Sequence, residues 1–196
     1  MKIKSGFVIL ISMGTTLLPA QTVKDVEGNI YKTVTIGKQT WMVENLKTTK
    51  FNDGKAIPLV TDTTWHSITT PSYCWYDNNK TAYKNFYCAM YNWYAVKDGK
   101  LCPSGWHVPN EDEWTTLINY SGGENSAAEK LKEAGTIHWK SSNTVASNES
   151  GFTALPGGSR FDIDGSFYGI GDYGNWWGST STDRISQGTA FCRIMD

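Results

Sequence analysis

The apolar and polar positions alternate first. Ile30-Tyr31-Lys32-Thr33-Val34-Thr35-Ile36 follows a period of two, after the short opening segment Thr22-Val23-Lys24-Asp25-Val26 and before a further strand candidate, Gln39-Thr40-Trp41-Met42-Val43. That period, with β-branched residues on it, predicts half-buried strands. Gly28-Asn29 and Gly37-Lys38 supply turns between them, so the segment reads as two short hairpins. Residues 49 to 72 lose the pattern: Asn52-Asp53-Gly54, Pro58 and a Thr-rich run to Pro71 read as loop. Tyr73-Cys74-Trp75-Tyr76 reads as a short buried strand or an aromatic turn. Ala89 to Val96 is apolar almost all round and predicts a buried helix, closed by Asp98-Gly99.

The strongest local signal spans Leu101 to Trp114. Cys102-Pro103-Ser104-Gly105 makes a turn, Trp106-His107-Val108 follows, and Pro109 stops it. Asn110 then predicts a helix cap, with Glu113 three residues later reaching back to it. Trp114, Leu117 and Ile118 share one face of that helix, and Gly122-Gly123 ends it. A second helix is predicted over Ala127 to Glu133, stopped by Gly135. Ser141 to Ser150 reads as loop. Phe152 to Leu155, Trp176 to Thr180 and Ala190 to Met195 are strand candidates in a Gly- and aromatic-rich end, and no segment repeats.

The first twenty residues stand apart from these elements. Lys2 and Lys4 precede an apolar run, Gly6 to Leu18, that is short for a membrane span, and Leu18-Pro19-Ala20 suits cleavage. A signal peptide over 1–20 is expected, with one mature domain over 21–196 and a secreted or surface location. No later stretch would span a bilayer. Net charge is -1, from 18 basic and 19 acidic residues, so no field exists to gather nucleic acid. Export makes disulfides the expected state of Cys74, Cys88, Cys102 and Cys192, and four cysteines allow three pairings. Zinc is the weaker reading, because no Cys-x-x-Cys pair exists and His66, His107 and His138 lack ligand spacing.

Several runs resemble the Fibrobacter succinogenes major paralogous domain. They are Trp41-Met42-Val43-Glu44-Asn45-Leu46-Lys47-Thr48, Tyr91-Asn92-Trp93-Tyr94-Ala95-Val96, Cys102 to Pro109, Gly151 to Gly158, and Trp176-Trp177. The likeness covers most of the mature chain. It implies an α+β, C-type-lectin-like fold: short antiparallel sheets, two or three helices and long Gly- and aromatic-rich loops. It also implies an exported bacterial domain with no shared activity. Two features depart from the family. Cys88 stands where Gly is usual, and only a short stretch separates Trp177 from Cys192. A shortened ending, with Phe191-Cys192-Arg193 as the closing strand, would allow Cys102 to pair with Cys192 and Cys74 with Cys88. The longer of those loops would contribute roughly 4–5 kcal/mol.

Candidate chemistry is sparse. Arg160, Asp162, Asp164 and Gly165 resemble an acidic metal loop but lack the ligand run of a calcium site, so a turn between strands is expected. Capping accounts for Asn110, Glu111, Asp112 and Glu113 more simply than calcium does. No calcium or other cofactor is assigned. The likeness to formylglycine-generating-enzyme-like domains does not carry their paired C-terminal cysteines, since only Cys192 lies there. Ser159 and His138 have no nucleophile-elbow context. A non-catalytic role follows as the expectation. Trp176 and Trp177 would point to opposite faces of a strand. Either one is core and the other joins Tyr168, Asp172, Tyr173 and Asn175 in a binding platform, or both are packed. The expected partner is an extracellular glycan or protein. A structural subunit completed by a partner strand, with self-association, is the alternative.

Overall fold

The computed structural model describes residues 21–140, 143–182 and 189–196. The expected signal peptide, 1–20, lies outside the described residues. The chain is α+β. β1 (Thr22–Lys24), β2 (Ile30–Ile36) and β3 (Gln39–Met42) form an antiparallel sheet in that order. The register, Val23↔Tyr31 and Val34↔Trp41, follows from the predicted turns. Asp25 closes the first of them: its carboxylate accepts from Glu27 N, from Asn29 N and Nδ2, and from Tyr31 Oη.

The next third holds two departures from the sequence reading. A 3-10 turn over Thr63–Ser67 interrupts the loop. The single buried helix expected over Ala89 to Val96 is instead a strand followed by a helix. β4 (Tyr73–Cys74) pairs with β5 (Met90–Tyr91), and α1 (Lys80–Tyr83) lies between them in the chain. Asn92 then starts α2 (Trp93–Lys97), accepting from Ala95 N at 3.1 Å and from Ser72 N at 3.0 Å. One polar residue inside the apolar run therefore divides it, because its side chain caps a helix and ties down a loop.

α3 (Glu111–Tyr120) forms as expected, with both halves of the capping box present: Glu113 N donates to Asn110 Oδ1 and Asn110 N donates to Glu113 Oε2. Ser121 caps its end and the chain leaves through Gly122 and Gly123, both at positive φ. α4 (Ala127–Leu131) is shorter than predicted. Phe152 to Leu155 forms no strand, only a bridge at Ala154. Thr153 sits at φ 60° and is held there by Asn148, so the extended run breaks.

The C-terminal sheet is four-stranded, in the order β7 (Phe167–Ile170), β6 (Gly157–Arg160), β8 (Gly174–Thr182), β9 (Thr189–Met195). It is mixed, contrary to the antiparallel expectation, because β6 meets β8 in parallel at Gly158↔Gly174. Gly158 is at φ 67°, and a Cβ there would strike the Tyr168 carbonyl oxygen, so no other residue fits this crossing. The Phe161–Ser166 connection between β6 and β7 is a turn, as the sequence implied, with Asp164 Oδ1 accepting from Ser166 N.

Two cores flank β8. The first gathers Ile36, Trp114, Leu117, Ile118, Leu131, Trp139, Phe152 and Met195, with Trp41, Trp176 and Phe191 against it. The second gathers Phe51, Ile57, Tyr73, Trp75, Val96 and Leu101, with Trp93, Val108 and Trp177 against it. Adjacent strand residues point to opposite faces, so β8 places Trp176 in one core and Trp177 against the other.

The four cysteines are free thiols, and the expected Cys102–Cys192 and Cys74–Cys88 bridges do not form. Three of the thiols are buried and one is exposed. Cys74 is buried in β4 beside Arg160, and Cys88 is buried at φ 67° after α1. Cys102 is buried, while Cys192 is exposed on β9 opposite Trp177. The Trp177 ring fills the second-core side of the sheet at that position.

Candidate functional site

A groove of about 1330 Å³ runs along the junction of these elements. Its walls come from β3 and the segment after it, the Trp65–Thr69 turn, β5 and α2, the Gly105–Pro109 turn, and β6 with β8. Seven of the nine tryptophans line it, and of the three buried ones only Trp114 reaches its wall. Trp75, Trp114 and Trp139 are about 2% exposed and belong to the cores. The other six, Trp41, Trp65, Trp93, Trp106, Trp176 and Trp177, are half-buried, and all six line the groove.

Each ring is placed by a local cause. Trp41 is held against Trp114 and Phe152, with ring centroids 5.1 and 5.7 Å away. Trp176 Nε1 donates to Asn45 Oδ1 at 2.9 Å, and Trp177 Nε1 donates to the Tyr91 carbonyl at 2.7 Å. Trp93 and Trp177 pack at 5.9 Å. Trp65 is fixed by Arg160, whose guanidinium lies 4.7 Å from its ring and donates to the carbonyls of Val60, Asp62 and Gly165. Arg160 is thus a clasp between the loop of residues 60–65 and the β6–β7 hairpin. Alone of the six, Trp106 has no aromatic-pair, cation–π or indole N–H partner among the described contacts. It sits in the Pro-bracketed turn, half-buried and facing the groove.

The structure does not bring the six expected platform residues together. Asn175, Trp176 and Trp177 line the groove. Both indole N–H groups are used internally, so both tryptophans are packed and neither stands on an open platform. Tyr168, Asp172 and Tyr173 lie outside the lining. Tyr168 is 50% exposed and meets Phe161 edge-on at 5.6 Å on the hairpin. Asp172 pairs with Lys140 at 2.5 Å. The Tyr173 ring covers Gly169, and its hydroxyl meets Ser159 Oγ at 3.0 Å. Sequence reasoning missed Trp41, Trp65, Trp93 and Trp106. The one available signal was an indole at 106 in a turn too short to bury it.

The charged groups along the groove are mostly engaged. Glu113 closes the α3 cap and also holds His107 Nε2 at 2.8 Å. Glu44 accepts from Lys32 N at 2.7 Å. Burial pushes the Cys102 thiol up to about 12. Burial also raises Cys74, to about 11, against the lowering effect of Arg160. Both thiols therefore stay protonated at neutral pH and make poor nucleophiles. Cys192, exposed on β9, borders the groove.

An α+β domain with a tryptophan-lined groove between two cores is the class these features define. The family model of the Fibrobacter succinogenes major domain matches residues 34–193, and the chain belongs to that family. No curated protein and no solved structure matches it. Among the described residues, no helix is long and apolar enough to cross a membrane.

Proposed function

We propose that this chain is an exported, non-catalytic recognition domain that holds a glycan or protein ligand in the tryptophan-lined groove, on a C-type-lectin-like scaffold. One observation carries the reading: every tryptophan that is not fully buried faces this groove. Indoles offer large apolar area at low entropic cost, with a polar edge, and they dominate recognition surfaces. Two of the three acids in the lining support a non-catalytic role, since Glu113 and Glu44 accept from backbone N–H groups, and the third, Asp162, has no carboxylate beside it to form a catalytic pair among the described contacts. The site thus moves from the C-terminal loops alone to a groove that those loops only partly form.

Trp106→Ala and Tyr168→Ala variants test this on combined glycan and peptide arrays. Trp106→Ala is expected to lose the wild-type signals and Tyr168→Ala to keep them, both folding normally by circular dichroism. Retained binding in Trp106→Ala would contradict the site. A second reading has its own observation. β9 is seven residues long and pairs only with β8 among the described residues, and Ile194 on it is 62% exposed. Such an edge accepts a partner strand in a surface assembly. Light scattering over a concentration series separates the readings, because a monomer throughout contradicts self-association.

A further inference from the structure

Resting on the groove reading, we infer that the ligand is an uncharged oligosaccharide of several residues. Three observations carry this. The groove, about 1330 Å³, exceeds the roughly 300–1,000 Å³ of small-ligand pockets, so it suits a chain of rings rather than one. Its half-buried indoles come from separate segments: Trp65 from the loop before β4, Trp106 from the Pro-bracketed turn, and the touching Trp93–Trp177 pair, 5.9 Å apart, from α2 and β8. Flat apolar faces contributed by several segments suit the apolar faces of sugar rings, and each contact excludes water without demanding charge.

The third observation is electrostatic. An acidic glycan, a phosphate or a charged peptide would need unspent cations or anions. Arg160 is committed to three carbonyls and to the rings of Trp65 and Phe167. Glu113 and Glu44 are committed to backbone N–H groups, and Glu113 to His107 as well. Lys38 and Asp162, also in the lining, have no ion-pair partner among the described residues, and their charges are opposite. Two cations, Lys38 and Arg160, stand against three carboxylates, Glu44, Glu113 and Asp162, so the lining's formal net charge is only -1, too small a field to select a charged ligand. Groups left to pair with hydroxyls include Asn175 Oδ1, Gln39 Oε1 and the second ring nitrogen of His107.

Calorimetric titration of the mature chain tests the assignment. The probes are neutral hexasaccharides of glucose, xylose, mannose or galactose in both linkages, hexagalacturonate, and a pool of neutral and charged peptides. At least one neutral hexasaccharide is expected to bind. Its affinity should change less than about twofold between about 50 mM and about 500 mM salt, because no exposed ion pair is made. Trp106→Ala should weaken it by at least about tenfold, the usual effect of removing a central indole. Binding only by hexagalacturonate or peptides, still lost in Trp106→Ala, would overturn the ligand class and leave the groove as the site. Binding by no probe, or binding indifferent to Trp106, would overturn both.

Discussion

Asp25 shows how one side chain can hold a turn. Burial alone would raise its carboxyl, but hydrogen bonds from Asn29 and Tyr31 and from the Asn29 and Glu27 backbone outweigh this and keep it below its ordinary 3.8. Folding therefore favours the ionised form. The stability this contributes is fully present above pH 3.8 and is lost as the pH falls through the folded value. Denaturant titrations should find Asp25→Asn less stable than wild type at neutral pH, by about 1–3 kcal/mol. The gap should narrow below about pH 4. A gap that is constant or widens there would contradict the account. Asp25 had no visible role in the sequence, because four donors converge on it only after the turn has closed.

The elements divide by how local their causes are. α3 was legible to the residue, since its cap, apolar face and glycine stop all lie within one window. Asn110→Ala should accordingly cost about 1 kcal/mol in equilibrium unfolding, with the groove's ligand binding retained. A loss of less than a few tenths would mean that the capping box is not holding the helix. The first three strands were equally legible, because turn residues and alternation agree. β6 and β7 were legible only as the flanks of a turn. Gly157-Gly158-Ser159-Arg160 has no strand propensity, and what makes it a strand is a close crossing that admits only glycine at 158. The run from Ala89 to Val96 was misread for a related reason. Its periodicity is masked by a strand and a helix that are both apolar, and the division falls on the capping bond of Asn92.

At the scale of the whole molecule, β8 separates two cores, and the groove lies where they meet. Trp176 and Trp177 belong to this arrangement. Their adjacency was visible in the sequence, and so was the rule that they face apart. That each would be claimed by a different core was not, because Asn45 and Tyr91, which take their indole N–H groups, lie 131 and 86 residues away in the chain. The disulfide expectation failed at the same scale: the expected compartment and the cysteine count favoured bridges, but all four thiols are free, three of them buried and Cys192 exposed.

Those thiols supply the most direct test of the groove as the binding site, since Cys192 alone is exposed and borders it. A bulky maleimide should modify Cys192 in the native protein and leave Cys74, Cys88 and Cys102 untouched until unfolding. The account predicts that protein labelled in this way loses its array binding, while Cys192→Ser treated identically keeps it. Labelled protein that binds as before would place the ligand elsewhere and contradict the account.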